Sequence, residues 1–310
     1  MKLLTTLSVL LLTFIGYSQN TLFKVITSQG TAEVITNGTT SAIYSGARLN
    51  SGSKLKLSPN AYLGLIHISG STIEVKQAGE YDITELAKQF TTQQSSYSKK
   101  YGDYVVQQVT SDSESKKNYS YTGAVTRGPH DIVLWSPSEV STVKLMQSIP
   151  IKLNWGKVDG VTEYKVVIKP LDESSILYSE VTTETNILLD LSSVAPTTDT
   201  PYFMEIIAIG AKATPTRKPF YLTDEKSSEI VTAELEELKN QVNVESAFGN
   251  LMIASFYAKH GFTMYAISSY QEAVILEPTV TDYKNIRDIY FSENHIILSL
   301  IHISEPTRRS

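Results

Sequence analysis

Histidine is the residue type in this chain best suited to acid–base work or metal ligation, and the histidines are scattered: His67, His130, His260, His295 and His302. A metal centre needs several ligands converging on one point, and a general base needs a nucleophile within hydrogen-bond reach. His67 has no second metal-type residue at a matching spacing and reads as a strand residue with one face partly wet. His260, just before Gly261, reads as a solvated turn residue. The motifs H-E-x-x-H and G-x-S-x-G, the P-loop and the dinucleotide glycine fingerprint do not occur. Carboxylates are plentiful, but nothing singles out a glycosidase pair. Cysteine is absent, which excludes disulfides, thiolate ligands, a cysteine nucleophile and lipidation through cysteine. No catalytic, cofactor-binding or metal residue is therefore expected, nor any cofactor, and the chain reads as a non-enzyme.

Two binding chemistries remain. Lys99, Lys100, Lys116 and Lys117 could hold a polyanion, but acidic neighbours at Asp103, Asp112 and Glu114 make a solvated surface the better reading. Tyr62, Tyr97, Tyr101 and Tyr104, if exposed, could stack on the rings of a cell-wall or capsule polysaccharide, so a glycan is the alternative ligand. With 27 basic and 32 acidic residues and a formal charge of -5, no nucleic-acid partner is expected.

These residues are distributed along 310 positions, room for two or three domains. The opening MKLLTTLSVLLLTFIGYSQ has Lys2, an apolar run from Leu3 to Ile15 and small closing residues. It predicts a signal peptide over residues 1–18, cut after Ser18 or Gln19, and export to the periplasm or cell surface of a bacterium. No transmembrane segment is expected after its removal. Without disulfides, an exported chain must be held by burial alone.

From 22 to 86, short apolar alternations are punctuated by glycine, as in LFKVITSQG, TAEVITNG and YLGLIHISG, and predict a small antiparallel β-domain. Asn37-Gly38 is its strongest hairpin signal. In AYLGLIHISGSTIEV, period two puts Ile66 and Ile68 on one face and Leu65 and His67 on the other. The order GTAEV, SGARLNSGSKLKLSPNAYLGLIHISGSTIEV, then the glycine before EYDI, resembles the FecR-type domain of bacterial envelope proteins. That resemblance implies sensing or scaffolding at the envelope. Residues 87–122 turn polar and predict a helical or linker segment, with Phe90, Tyr97, Tyr101 and Tyr104 on one helical face and SDSESKKN as solvated linker.

Strand patterns return over 123–233 in DIVLW, IKLNW, EYKVVIK, SILYSEV, TNILLDL, YFMEIIAIG and SEIVTAE, which match an antiparallel sandwich. The stretch IPIKLNWGKVDGVTEYKVVIKP resembles fibronectin type III and related immunoglobulin-like domains. Trp155 would be the core tryptophan, and Tyr164, Val166 and Ile168 the next strand. Such domains space or bind.

Helix formers dominate 234–297, beginning with ELEELKNQV. NLMIASFYAKHGFTMYAISSYQEAVILEP resembles a tetratricopeptide repeat, whose pattern spans 34 residues. Ile253 and Ala254 take the Leu-Gly places, Tyr257 the tyrosine and Gly261 the turn. Ala266 takes the small position of the second helix, Tyr270 the phenylalanine, Ala273 the following alanine and Pro278 the closing proline. Asn250 stands where the opening tryptophan would be. Small residues at 254 and 266 let two antiparallel helices approach, with Tyr257 and Tyr270 filling the space beside them. Tyr283, Ile286 and Tyr290 suggest a second unit, with one residue fewer in the link.

The pentapeptide LIHIS occurs twice, at Leu65–Ser69 and Leu300–Ser304. The second copy lies in LSLIHISEPTR, Leu298–Arg308, which resembles codon for codon the translation of a transposase sequencing adapter. Residues 298–310 are therefore expected to be an artefact, the helical array to be truncated, and the two copies to be a coincidence.

The expected architecture is multidomain: a small all-β domain, an antiparallel β-sandwich, then a tetratricopeptide-like α-helical hairpin. The resemblances imply a non-catalytic envelope protein, a scaffold or sensor-associated module whose helical repeat holds another envelope protein or peptide. Each β-domain is expected to have its own core and to share little packing with the hairpin.

Overall fold

The structure is a computed structural model that describes residues 20–90, 96–110, 132–137, 141–192, 194, 198 and 200–296. The expected signal peptide, SDSESKKN, His130 and the adapter-like tail lie outside the described residues.

The first β-unit is built from β1 (Thr21–Gln29), β2 (Ala32–Thr36), β3 (Thr39–Ala42), β4 (Arg48–Asn50), β5 (Lys54–Leu57), β6 (Tyr62–His67), β7 (Thr72–Val75) and β8 (Gly79–Asp82). They form two antiparallel sheets, ordered β4-β1-β6-β7 and β3-β2-β5-β8. Asn37 and Gly38, both at positive φ, close the β2–β3 hairpin as their residue types predict. Phe23, Val25, Leu49, Leu55, Leu57, Leu63, Leu65 and Val75 fill the core of this unit.

β6 departs from the half-buried strand that the period suggested. All six of its residues are buried, because its two faces serve different cores. Leu63 and Leu65 point into the β-unit, while Tyr62 and Ile66 join the cluster that includes the helices. A strand covered on both faces reads as a continuous apolar run, and AYLGLIHI is one. Opposite it, β1 carries a bulge: Val25 pairs with Leu65, Thr27 with Gly64, and Ile26 is the extra residue. A bulge re-aims the side chains that follow. Accordingly Val25 lies in the β-core, Ile26 in the helical cluster, and Thr27 bonds a helix.

Two helices lead on. In α1 (Ile83–Ala87), Asp82 accepts from the N–H groups of Thr84 and Glu85. α2 (Ser96–Thr110) occupies the stretch expected to be polar, and buries Tyr101 and Val105 against the rest of the molecule.

The second β-unit contains β9 (Val143–Leu145), β10 (Ile151–Asn154), β11 (Tyr164–Pro170), β12 (Tyr178–Thr182), β13 (Asn186–Leu189), β14 (Tyr202–Ala208) and β15 (Thr216–Leu222). A five-stranded sheet ordered β12-β11-β14-β15-β9 accompanies the pair β10-β13. Every pairing is antiparallel except β15 with β9. Trp155 is buried with its ring edge-on to Tyr164, and Tyr164 Oη accepts from the Val158 N–H at 2.9 Å.

One expected strand is wrong. SEIVTAE lies inside α3 (Glu225–Lys239), capped by Asp224, so the helices begin before residue 234. Ser228, Val231, Leu235 and Leu238 are the buried residues, a helical spacing, and Ile230 is exposed. The strand that takes its place, TRKPFYL, was hidden by Pro219 and by Lys218, a buried lysine whose Nζ reaches the Pro137 carbonyl and Ser141 Oγ. β9 pairs with β15 only from Phe220 onward, so it never needs an N–H from the proline.

α3 is followed by α4 (Ala247–Lys259), α5 (Thr263–Leu276) and α6 (Thr281–Glu293). No helix among the described residues is long and apolar enough to cross a membrane. A single apolar cluster runs from Ile26, Tyr62 and Ile66 of the first β-unit through α3–α6 to Leu145, Met146 and the core of the second. The expected independence of the β-domains from the helices is thus corrected.

Candidate functional site

The helical hairpin starts where Ser246 Oγ accepts from the Gly249 N–H at 2.9 Å. α4 ends in a Schellman turn: the Phe262 N–H reaches the Tyr257 carbonyl at 2.9 Å and the Gly261 N–H reaches Ala258 at 3.2 Å. Gly261 stands at φ +74, a conformation that a Cβ makes costly, with open space around it. The same turn closes α6, from Ile296 to Phe291 and from His295 to Ser292, with His295 at φ 53. Ala247–Lys259 and Thr281–Glu293 are each 13 residues long and start and end 34 residues apart. This register pairs Phe256 with Tyr290 and Tyr257 with Phe291. The link is therefore not one residue short, as the sequence suggested; Tyr290 had been matched to the wrong aromatic of two adjacent ones.

Seven of the eight motif residues, from Ile253 to Ala273, fall in this hairpin, and Pro278 follows it. Ala254, Ala266, Tyr270 and Ala273 are fully buried, Ile253 and Tyr257 nearly so, and Pro278 is exposed in the turn before α6. Tyr257 stacks on Tyr265 with ring centres 5.0 Å apart, and Tyr270 leans on Tyr290 at 4.9 Å. Burial drives the hydroxyl pKa values of these tyrosines upward, that of Tyr290 to about 12.

The outer connections of the hairpin are what the sequence did not reveal. Toward the first β-unit, Tyr283 Oη and Tyr62 Oη lie 2.6 Å apart in a buried contact. Asp282 accepts from Thr27 at 2.8 Å and Ser45 at 3.3 Å, and the Phe248 N–H donates to Glu74 at 2.7 Å. Lys76 bridges Glu74 and Glu277. Toward the second β-unit, Tyr265 Oη donates to the Ile149 carbonyl at 2.9 Å and accepts from the Met146 N–H at 3.2 Å. Lys144 donates to the His260 carbonyl and lies over the Phe262 ring, and Lys152 pairs with Glu272 at 2.9 Å. The only sequence signal for these contacts was the unbroken apolar run of β6.

The histidines do not converge. His67 is buried, stacked on Phe90, with Nδ1 2.8 Å from Ser69 Oγ, and burial lowers its pKa. It is not half wet, because Phe90 covers it. His260 is not a solvated tip either: its ring packs on Phe256, with Nε2 3.0 Å from Tyr101 Oη and 3.2 Å from Glu234 Oε2. Burial lowers its pKa, Glu234 opposes that shift, and Lys100, Lys144 and Lys259 add to it. Among the described residues no three His, Cys, Asp or Glu side chains could hold a metal ion together.

The aromatic platform for sugars is not assembled. Tyr62 and Tyr101 are buried, and Tyr104 is half-buried; the Tyr97 side chain lies outside the described residues. Tyr62 points into helices rather than solvent because β6 is covered on both faces. Of the four lysines, Lys100 lies over the Tyr101 ring, and the side chains of Lys99, Lys116 and Lys117 are outside the described residues. No protein-family model matches the chain, and no curated protein matches it either.

Proposed function

We propose that the chain is a non-catalytic, exported envelope scaffold in which a tetratricopeptide-like hairpin joins two β-domains in a fixed relation and holds a protein partner. The observation that carries this reading is the double anchorage of the helices α4–α6. Tyr283 of α6 meets Tyr62 in a buried contact on one side, and Tyr265 of α5 meets Met146 in a buried contact and Ile149 in a part-buried one on the other. Buried hydrogen bonds are directional and costly to leave unmade, so they fix orientation as well as adding stability. The 34-residue offset of α4 and α6 supports the repeat assignment. The strand order of the second unit supports a fibronectin- or immunoglobulin-like sandwich. The apolar leader supports export.

Spin labels test the joint. The chain has no cysteine, so Thr40→Cys in exposed β3 and Ser179→Cys in exposed β12 would carry the only labels. A single narrow distance distribution that broadens in Tyr265→Phe is the expected result. A broad distribution in the unmodified joint would remove the scaffold reading.

A further inference from the structure

We infer that the helical hairpin binds one internal water molecule at the Tyr270 hydroxyl, where it bridges Tyr270 on α5, Ser255 on α4 and Gln108 on α2. The site needs no protein partner and stands apart from the scaffold reading. The repeat pattern that this hairpin resembles has phenylalanine at position 270, so a ring alone would satisfy the packing there. This chain has tyrosine instead, which adds a hydroxyl to the core. Tyr270 is fully buried, and among the described residues its Oη has no direct hydrogen-bond partner. A buried hydroxyl is seldom left unpaired.

Polar groups stand beside it. Burial raises the Tyr270 pKa, and Tyr104 and Tyr290 add to the rise, while the Ser255 and Gln108 side chains oppose it. Ser255 and Gln108 are thus close enough to act on the hydroxyl, yet neither stands in direct hydrogen-bonding geometry to it. Polar groups that face one another at slightly more than bonding distance are the setting in which a water bridges. Three polar neighbours from three helices are also enough to hold one.

The donor inventory narrows what can occupy the site. Ser255, also fully buried, donates its one proton to the Leu251 carbonyl at 2.9 Å. Toward Tyr270 its oxygen is therefore an acceptor, and the bridging molecule must bring a proton to it. The same molecule must complement the Tyr270 hydroxyl, so it carries a lone pair as well. An anion has no proton to give Ser255, and a metal cation would bring unpaired charge into the core. Among the described residues no group of His, Cys, Asp or Glu side chains could neutralise one together. Water has both functions and no charge. The Tyr290 ring leans on Tyr270 at 4.9 Å, and both bridged hydroxyls are sealed from bulk solvent, so exchange of the bound molecule should be slow. Gln108 lies seven residues after Tyr101, two turns along the same face of α2. The water therefore adds a polar tie between α2 and the hairpin to the apolar one that Tyr101 makes on Phe256.

Oxygen-17 relaxation dispersion of the solvent, recorded on the full chain, reads waters held longer than the protein takes to tumble. Tyr270→Phe should lower its amplitude by the equivalent of one water. The same variant should raise the unfolding equilibrium constant about fivefold, as the loss of one hydrogen bond does. A crystal structure of the unaltered chain should show one ordered solvent peak about 2.8 Å from Tyr270 Oη. An unchanged dispersion amplitude overturns the inference. So does a Tyr270→Phe protein more stable than its parent, the mark of an unsatisfied hydroxyl relieved, or a crystal structure in which Tyr270 Oη bonds Ser255 Oγ directly. If Tyr270→Phe does not fold, the crystal structure of the unaltered chain decides.

Discussion

Tyr62→Phe and Tyr283→Phe should each destabilise the molecule, and the two losses should not add, because the substitutions delete the two ends of one contact. The hydroxyls are 2.6 Å apart, and both residues are buried. Burial, then Tyr283 and Glu74, push the Tyr62 pKa up. Either hydroxyl can donate to the other. Removing either one deletes the bond and leaves the other buried hydroxyl without its partner, a loss of about 1–3 kcal/mol. The double variant removes both hydroxyls, so its loss should fall short of the sum by about 1 kcal/mol. Urea unfolding followed by helical circular dichroism measures all three differences. Hydrogen exchange in β6 and α6 locates them at the contact, because both tryptophans, Trp135 and Trp155, lie outside the first β-unit. Losses that add within about 0.3 kcal/mol would refute the pairing of the two hydroxyls.

Ala266→Leu adds volume at a fully buried position and should cost about 1–3 kcal/mol. Because neighbouring Tyr265 is pinned to Met146 and Ile149, exchange protection should fall in β9 as well as in α4 and α5, whereas exposed Lys259→Gln should change neither. Gly261→Ala meets no atom but must hold φ +74, so denaturation midpoints should report a purely conformational loss of about 1–2 kcal/mol. His260 has its pKa held below the ordinary 6.5, chiefly by burial. The unfolded chain therefore takes the proton first, and stability is full above pH 6.5 and declines as pH falls below it. His67 shifts the same way. Denaturant midpoints between pH 7 and about 5, above the carboxylate range, should show a shallower decline in His260→Gln, though not a flat one.

What could be read locally was read correctly where a residue type has one physical use. Asn37-Gly38 tolerates positive φ and makes a hairpin; Gly261 does the same and ends a helix. The misreadings came where one pattern served two structures. Ser228–Glu234 is apolar at alternating positions and also at helical spacing, and only the core beneath Val231 and Leu235 decides for the helix. Pro219 argued against a strand, yet β15 tolerates it because its parallel partner begins one residue later.

The sequence by itself determined the character of the pieces: glycine-punctuated strands, longer strands around Trp155, and a hairpin with buried alanines in both of its helices. Those properties depend on neighbours a few residues away, through backbone conformation and side-chain period. Tertiary structure alone decided that β6 has no solvent face, that Tyr62 and Tyr101 are buried and that His260 is half-buried. It also decided that the hairpin is enclosed by two β-units and α2 rather than set apart from them. Burial is a property of surfaces meeting across more than 200 positions, as Tyr62 meets Tyr283, and no local periodicity records which surface will arrive to cover a strand.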